Sequence, residues 1–192
     1  NIRQRIDILH EMIQLGRSSQ NNMITIMSLA QLGDAHIGLG KLEQAQTIFE
    51  QALFEATNSN GEFLPLAGEA LRGLGVLQMH WNNLSKARDL IETSIAQSKR
   101  WGSPTAIESF LFLSRILQAQ GQAQSAHQML ENARQLSIQF DVTDIDDQMV
   151  AMEQAQLNIF QGHLGAAHNW IKQRGLAQDL NPKLVNEAGE YI

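Results

Sequence analysis

The chain has 192 residues, 43% of them hydrophobic, with 14 basic and 20 acidic side chains and a formal net charge of −6. This length and apolar content allow a sizeable core and exclude disorder throughout. Cysteine is absent, which excludes a disulfide framework, a thiolate nucleophile and a zinc ribbon.

Residues 1–16 read as the second helix of a hairpin whose first half lies upstream. The start at Asn1, without Met or a signal-like segment, suggests a piece of a longer protein. The first full hairpin is expected over 21–58. Leu29, Leu32 and His36 fall at i, i+3 and i+7 on one side of a helix. Gly40 stops that helix, because a left-handed residue just past the end satisfies the last carbonyls without Cβ strain. Leu42, Ala45, Phe49 and Leu53 then mark the apolar face of the return helix. The polar link Thr57-Asn58-Ser59-Asn60-Gly61 leads to a second hairpin over 63–101, with Pro65 suited to a first helical turn. Its turn falls at Asn82, a residue that tolerates the left-handed region, and Ala87 and Ile91 follow.

Gly102-Ser103-Pro104 opens a third hairpin over 104–140, with a turn at Gly121 followed by Ala126, Leu130 and Ala133. Asp141-Val142-Thr143-Asp144 opens the fourth over 144–176, where Thr143 or Asp144 is the expected cap. Its turn at Gly162 precedes Ala167, Ile171 and Arg174. Residues 182–192 read as the start of another first helix, broken off. No Val, Ile and Thr alternation marks a strand.

The turn residues Gly40, Asn82, Gly121 and Gly162 lie 42, 39 and 41 positions apart, and Pro65, Pro104 and Pro182 are separated by 39 and 78. A sustained beat of about 40 residues is the signature of stacked helical units. The expected fold class is therefore all-α, an α-α superhelix in which each hairpin buries its apolar face against its neighbours. Ala45, Ala87, Ala126 and Ala167 are the small residues that allow close approach within each hairpin.

Chemistry-bearing patterns are sparse. None of His10, His36, His80, His127, His163 and His168 pairs at i, i+4, and His163 and His168 diverge by about 140° on a helix, so no metal site is expected. Asp141, Asp144, Asp146 and Asp147 lack the glycine and closing glutamate of a calcium loop and suit a helix N-terminus instead. Asn83-Leu84-Ser85 is read as a chance sequon. Without a nucleophile elbow or facing carboxylates, no enzyme is expected. The acidic balance argues against nucleic acid, and the apolar runs are too short to span a bilayer. Trp81 and Trp101 are expected to plug gaps between repeats, with Met129 and Trp170 in the core.

Leu32-Gly33, Ala45, Phe49 and Ala52 resemble the tetratricopeptide repeat, although the beat here exceeds its 34-residue period. The longer beat is similar to the repeat domain of MalT-type, LuxR-family regulators. Three stretches carry that resemblance: Leu64-Pro65-Leu66-Ala67-Gly68 running to Trp81-Asn82-Asn83-Leu84, Ala96 to Gly102, and Trp170 to Leu176. The resemblance implies an ATP-binding domain upstream, a helix-turn-helix domain downstream, and a sensor role for the repeats in the cytoplasm. It implies binding of a small-molecule inducer or regulatory protein on the concave face, controlling self-association. ATP is expected only in the upstream domain, since Gly40-Lys41 is followed by Leu42 and no phosphate-binding loop is present. No cofactor is expected in this segment.

Carried over from that repeat, groove positions on the first helices are Met27, Gln31 and Asp34, then Glu69, Arg72, Val76, Met79 and His80. The third repeat adds Glu108, Leu111, Arg115 and Gln118, and the fourth Met149, Met152, Gln156 and Ile159. The candidate binding set is Asp34, Glu69, Arg72, Met79, His80, Glu108, Arg115 and Gln118. Its arginines suit carboxylate or phosphate ligands, while the plainer reading is a solvated face of Glu–Arg pairs. An interaction scaffold that docks a peptide or helix is the alternative function.

Overall fold

The computed structural model describes residues 2–102, 105–140 and 144–173. They form α1 (Ile2–Ser18), α2 (Asn22–Gly38), α3 (Leu42–Glu55), α4 (Ala67–His80), α5 (Leu84–Trp101), α6 (Ala106–Ala119), α7 (Ala123–Phe140), α8 (Asp144–Phe160) and α9 (Leu164–Gln173). Among the described residues no strand forms; the nearest approach is an isolated bridge, Thr57 to Phe63, in the α3–α4 link. No described helix is long and apolar enough to cross a membrane.

The regular beat produces one turn repeated. Gly40, Asn82, Gly121 and Gly162 take φ of 71°, 58°, 75° and 76°. In each case the amide of the next residue donates five positions back: Lys41 to His36 O at 2.9 Å, Asn83 to Gln78 O at 2.8 Å, Gln122 to Leu117 O at 2.8 Å and His163 to Asn158 O at 2.7 Å. This is the left-handed helix stop that satisfies orphan carbonyls. A fifth copy occurs at Gln20, with φ of 54° and Asn21 N donating to Gly16 O at 2.8 Å. Sequence reading missed it because glutamine gives no left-handed signal. Pro65 sits just ahead of α4, its carbonyl accepting from Gly68 N at 3.2 Å, so it heads the entry turn and not the helix proper.

Packing between hairpins depends on small residues facing large ones. Ala45, Ala87 and Ala126 are fully buried, as close approach within each hairpin requires. The fully buried Phe49 of α3 lies between α2 and α4. A Cβ added at Gly33 would meet its ring at 2.6 Å, and one added at Gly73 at 2.1 Å. A single aromatic therefore sets the spacing of two first helices, and only glycine leaves it room. Polar links cross the same seams: the buried Ser94 hydroxyl bonds Gly68 O at 2.7 Å and the Ser109 hydroxyl at 2.9 Å. Met129 packs against the core, as expected. Trp81 and Trp101, expected to fill gaps, are instead exposed, because each ends a helix beyond the last buried turn.

Each helix packs on the next along the chain, and α2–α4, α4–α6 and α6–α8 also come into backbone contact. Among the described residues no such contact joins α3 to α5, α5 to α7 or α7 to α9. The row of first helices is thus the tighter, inner side of the curve.

Candidate functional site

The inner row carries charge pairs spaced about one helical turn short of the repeat step. Asp34 of α2 faces Arg72 of α4, 38 positions on, and Arg115 of α6 faces Glu153 of α8, also 38 on. A helix delivers side chains to one face every three to four residues, so each pair joins one turn of a first helix to the turn before the equivalent one on the next.

At the first rung Arg72 is 6% exposed. Its Nη2 donates to Asp34 Oδ2 at 2.7 Å and Nη1 to Asp34 Oδ1 at 3.4 Å, a two-pronged pairing. Glu69 Oε2 stands 3.6 Å from Nη2, and Glu108 Oε2 lies 3.4 Å from Nε. Burial pulls the guanidinium pKa down, but Asp34, Glu108 and Glu69 together outweigh it and raise the pKa above its already high ordinary value. Four of the predicted residues, Asp34, Glu69, Arg72 and Glu108, are therefore brought into one cluster spanning α2, α4 and α6. In this arrangement the donors of Arg72 face protein carboxylates.

At the second rung Arg115 Nε donates to Glu153 Oε2 at 2.8 Å, and its Nη2 pairs with Oε1. The Arg115 guanidinium also lies 5.1 Å from the Phe112 ring centre. Partial burial lowers its pKa, the opposite direction to Arg72. Glu153 is 4% exposed and was absent from the sequence-based groove. The signal that points to it is an opposite charge 38 positions from Arg115, the same step that separates Asp34 from Arg72. Gln118, a turn beyond Arg115, accepts from Gln161 Nε2 at 3.5 Å, and Gln161 Oε1 lies 2.9 Å from His127 Nε2. Met79 is half-buried and His80 exposed at the end of α4. Val76 and Leu111, expected in the groove, are buried between helices.

A cavity of about 460 Å³ opens between α6 and α8, lined by Arg115, Gln118, Glu153, Gln156, Leu157 and Phe160 among others. A second, of about 790 Å³, lies between α7 and α8 beside His127, Glu131 and Gln154. Among the described residues no group of three or more His, Asp or Glu could hold a metal ion. Of the two expected caps for the fourth hairpin, Asp144 is the first residue of α8, while Thr143 and the broken helix at 182–192 lie outside the described residues.

Paired helices stacked on a common turn, with the first helices forming an inner face, define a tetratricopeptide-like helical-repeat domain. The chain superposes on the Rap conjugation gene regulator of plasmid pLS20 in complex with the Phr* peptide, with a TM-score of 0.73 at 19% identity, over 93% of this chain and 49% of that one. A Rap protein complexed with Competence and Sporulation Factor gives 0.70 at 14% identity, over 93% and 50%. BtubC (BKLC) from P. vanneervenii gives 0.65 at 18%, over 95% and 76%. At these identities the likeness is one of fold, and the chain spans about half the length of either Rap protein. Residues 2–191 match the MalT-like TPR region, and the chain belongs to that family. No curated protein matches the sequence.

Proposed function

We propose that this MalT-like TPR region is the effector- or partner-binding sensor segment of a bacterial, cytoplasmic, signal-responsive transcriptional regulator. Its inner face takes the effector, and occupancy controls self-association of the parent protein. The observation that carries this reading is the α6–α8 cavity, which opens on the row of first helices and contains Arg115 and Gln118. The segment is a non-catalytic binder in this reading, with ATP binding and DNA binding assigned to domains before and after it.

A plain interaction scaffold is the second reading. One fold neighbour is described in complex with a peptide, the Phr* complex, which favours it. Reading the coding sequence on both sides separates the two: a phosphate-binding loop upstream and a helix-turn-helix downstream are expected, and absence of both refutes the regulator. Binding itself is tested by thermal unfolding with candidate metabolites and peptides, since a ligand at 100 times its Kd adds about 2.7 kcal/mol.

A further inference from the structure

We infer that Asn60-Gly61, in the α3–α4 link, is a self-modification site: the Gly61 amide nitrogen closes on the Asn60 side chain, and position 60 ends as aspartate or isoaspartate. Asparagine is among the thermolabile residues, and the link makes two of them unequal. Asn58 is held through both atoms of its carboxamide. Its Oδ1 accepts from Asn60 N at 3.0 Å and Glu62 N at 2.9 Å, and its Nδ2 donates to Glu62 Oε2 at 3.2 Å. The residue after it is Ser59, whose Cβ crowds its nitrogen. Asn60 is exposed, and among the described residues no hydrogen bond engages its carboxamide. Gly61, which follows it, is exposed at a φ of 80°, and a Cβ added there would find nothing within 4 Å. Glycine thus offers a nitrogen with no side chain beside it and room for a ring.

The step needs only the chain's own atoms and water. Gly61 N bonds to Asn60 Cγ, the Cγ–Nδ2 bond breaks, and the Gly61 amide proton leaves with Nδ2 as ammonia, closing a five-membered succinimide. Water then opens the ring at one of its two carbonyls. Opening at the former side-chain carbonyl gives aspartate; opening at the main-chain carbonyl gives isoaspartate, with an extra methylene in the backbone. Base removes the amide proton, so the rate rises with pH. One bond restrains the nucleophile: Gly61 N donates to Asn58 O at 2.9 Å, inside a turn that Asn58 N closes on Glu62 O at 2.9 Å. The turn must open locally before the nitrogen is free, so the Asn58 clamp sets the pace. Either product places a new carboxylate two residues from Glu62, and isoaspartate lengthens the chain within the clamped turn.

The test incubates the full chain at mildly alkaline pH and follows peptides spanning the link by mass spectrometry and by isoaspartyl-specific enzymatic methylation. Position 60 should convert ahead of every other asparagine, to both aspartate and isoaspartate, and faster as pH rises. Asn60→Gln, which would need a six-membered ring, should lose conversion at that position. Asn58→Ala removes the two bonds to Asn58 Oδ1 and should speed conversion by about tenfold, with circular dichroism showing that the helices are kept. Asparagine persisting at position 60 through the incubation, or Asn58 converting first, overturns the inference. An Asn58→Ala chain that keeps its helices and converts at the native rate overturns the clamp as its pacemaker.

Discussion

Replacing Arg72 by Met probes the ion cluster directly. The substitution keeps the aliphatic stem and removes the cation that Asp34, Glu69 and Glu108 share. Breaking a buried pair by deleting one partner costs about 3–5 kcal/mol. Asp34 and Glu108 are 32% and 44% exposed, so water screens part of the loss and about 2–3 kcal/mol is expected. Urea unfolding followed by circular dichroism measures it. A cycle with Asp34→Asn isolates the two-pronged contact, with a coupling of about 1–2 kcal/mol. The pH behaviour follows from the direction of the shift. A cation whose folded pKa is raised contributes stability below its unfolded pKa and loses it only as pH rises through the folded value. Both lie far into the alkaline range, so the Arg72 contribution should stay flat from about pH 6 to about pH 10. A cost below about 1 kcal/mol, or an additive cycle, would refute the cluster as a link between repeats.

Three further outcomes are expected. Gly73→Ala should cost about 1–3 kcal/mol or more by driving a methyl into the Phe49 ring, and Phe49→Leu in the same chain should recover part of it; no recovery in the melting temperature counts against the wedge. Ser94→Ala removes buried bonds to Gly68 O and Ser109, and chemical denaturation should show a loss of about 1–2 kcal/mol. Gly40→Ala should destabilise by about 1 kcal/mol while Gln20→Gly stabilises by a few tenths to about 1, because both positions are left-handed and only one holds glycine; equal responses in paired melts would be inconsistent with the shared turn.

The helices and their turns were legible because they rest on local rules. Gly40, Asn82, Gly121 and Gly162 announce a left-handed stop by residue type, and Ala45, Ala87 and Ala126 announce a close approach by size. Gln20 escaped because its backbone geometry is imposed by α1 packing on α2 through Gly16 and Thr25, not by its own preference. The tryptophans misled for a similar reason: their bulk suggested burial, but position past the last buried turn decides exposure. On the inner face, the resemblance to the repeat proposed Asp34, Glu69, Arg72 and Glu108 as residues of one side, and the structure brings these four into one cluster. The resemblance gave no account of which would meet one another, since that depends on the offset between α2, α4 and α6. Glu153 was overlooked because its neighbours Met152 and Gln156 fit the groove pattern, whereas pairing with Arg115 turns it inward.

The two rungs connect the site to the shape of the solenoid. Arg72 with Asp34 and Glu108 ties α2, α4 and α6, while Arg115 with Glu153 ties α6 to α8, so the contacts that hold the inner row together stand on the face proposed to bind. A ligand seated against Arg115 and Glu153 touches the seam between the third and fourth hairpins, where a change of helix offset alters curvature. Moving a two-state equilibrium from 1:99 to 99:1 takes a differential affinity of about 5.5 kcal/mol. A ligand touching one helix gains little of that, because a single rigid helix looks alike in both states. A ligand spanning α6 and α8 senses their separation, and it is there that differential affinity for two curvatures arises.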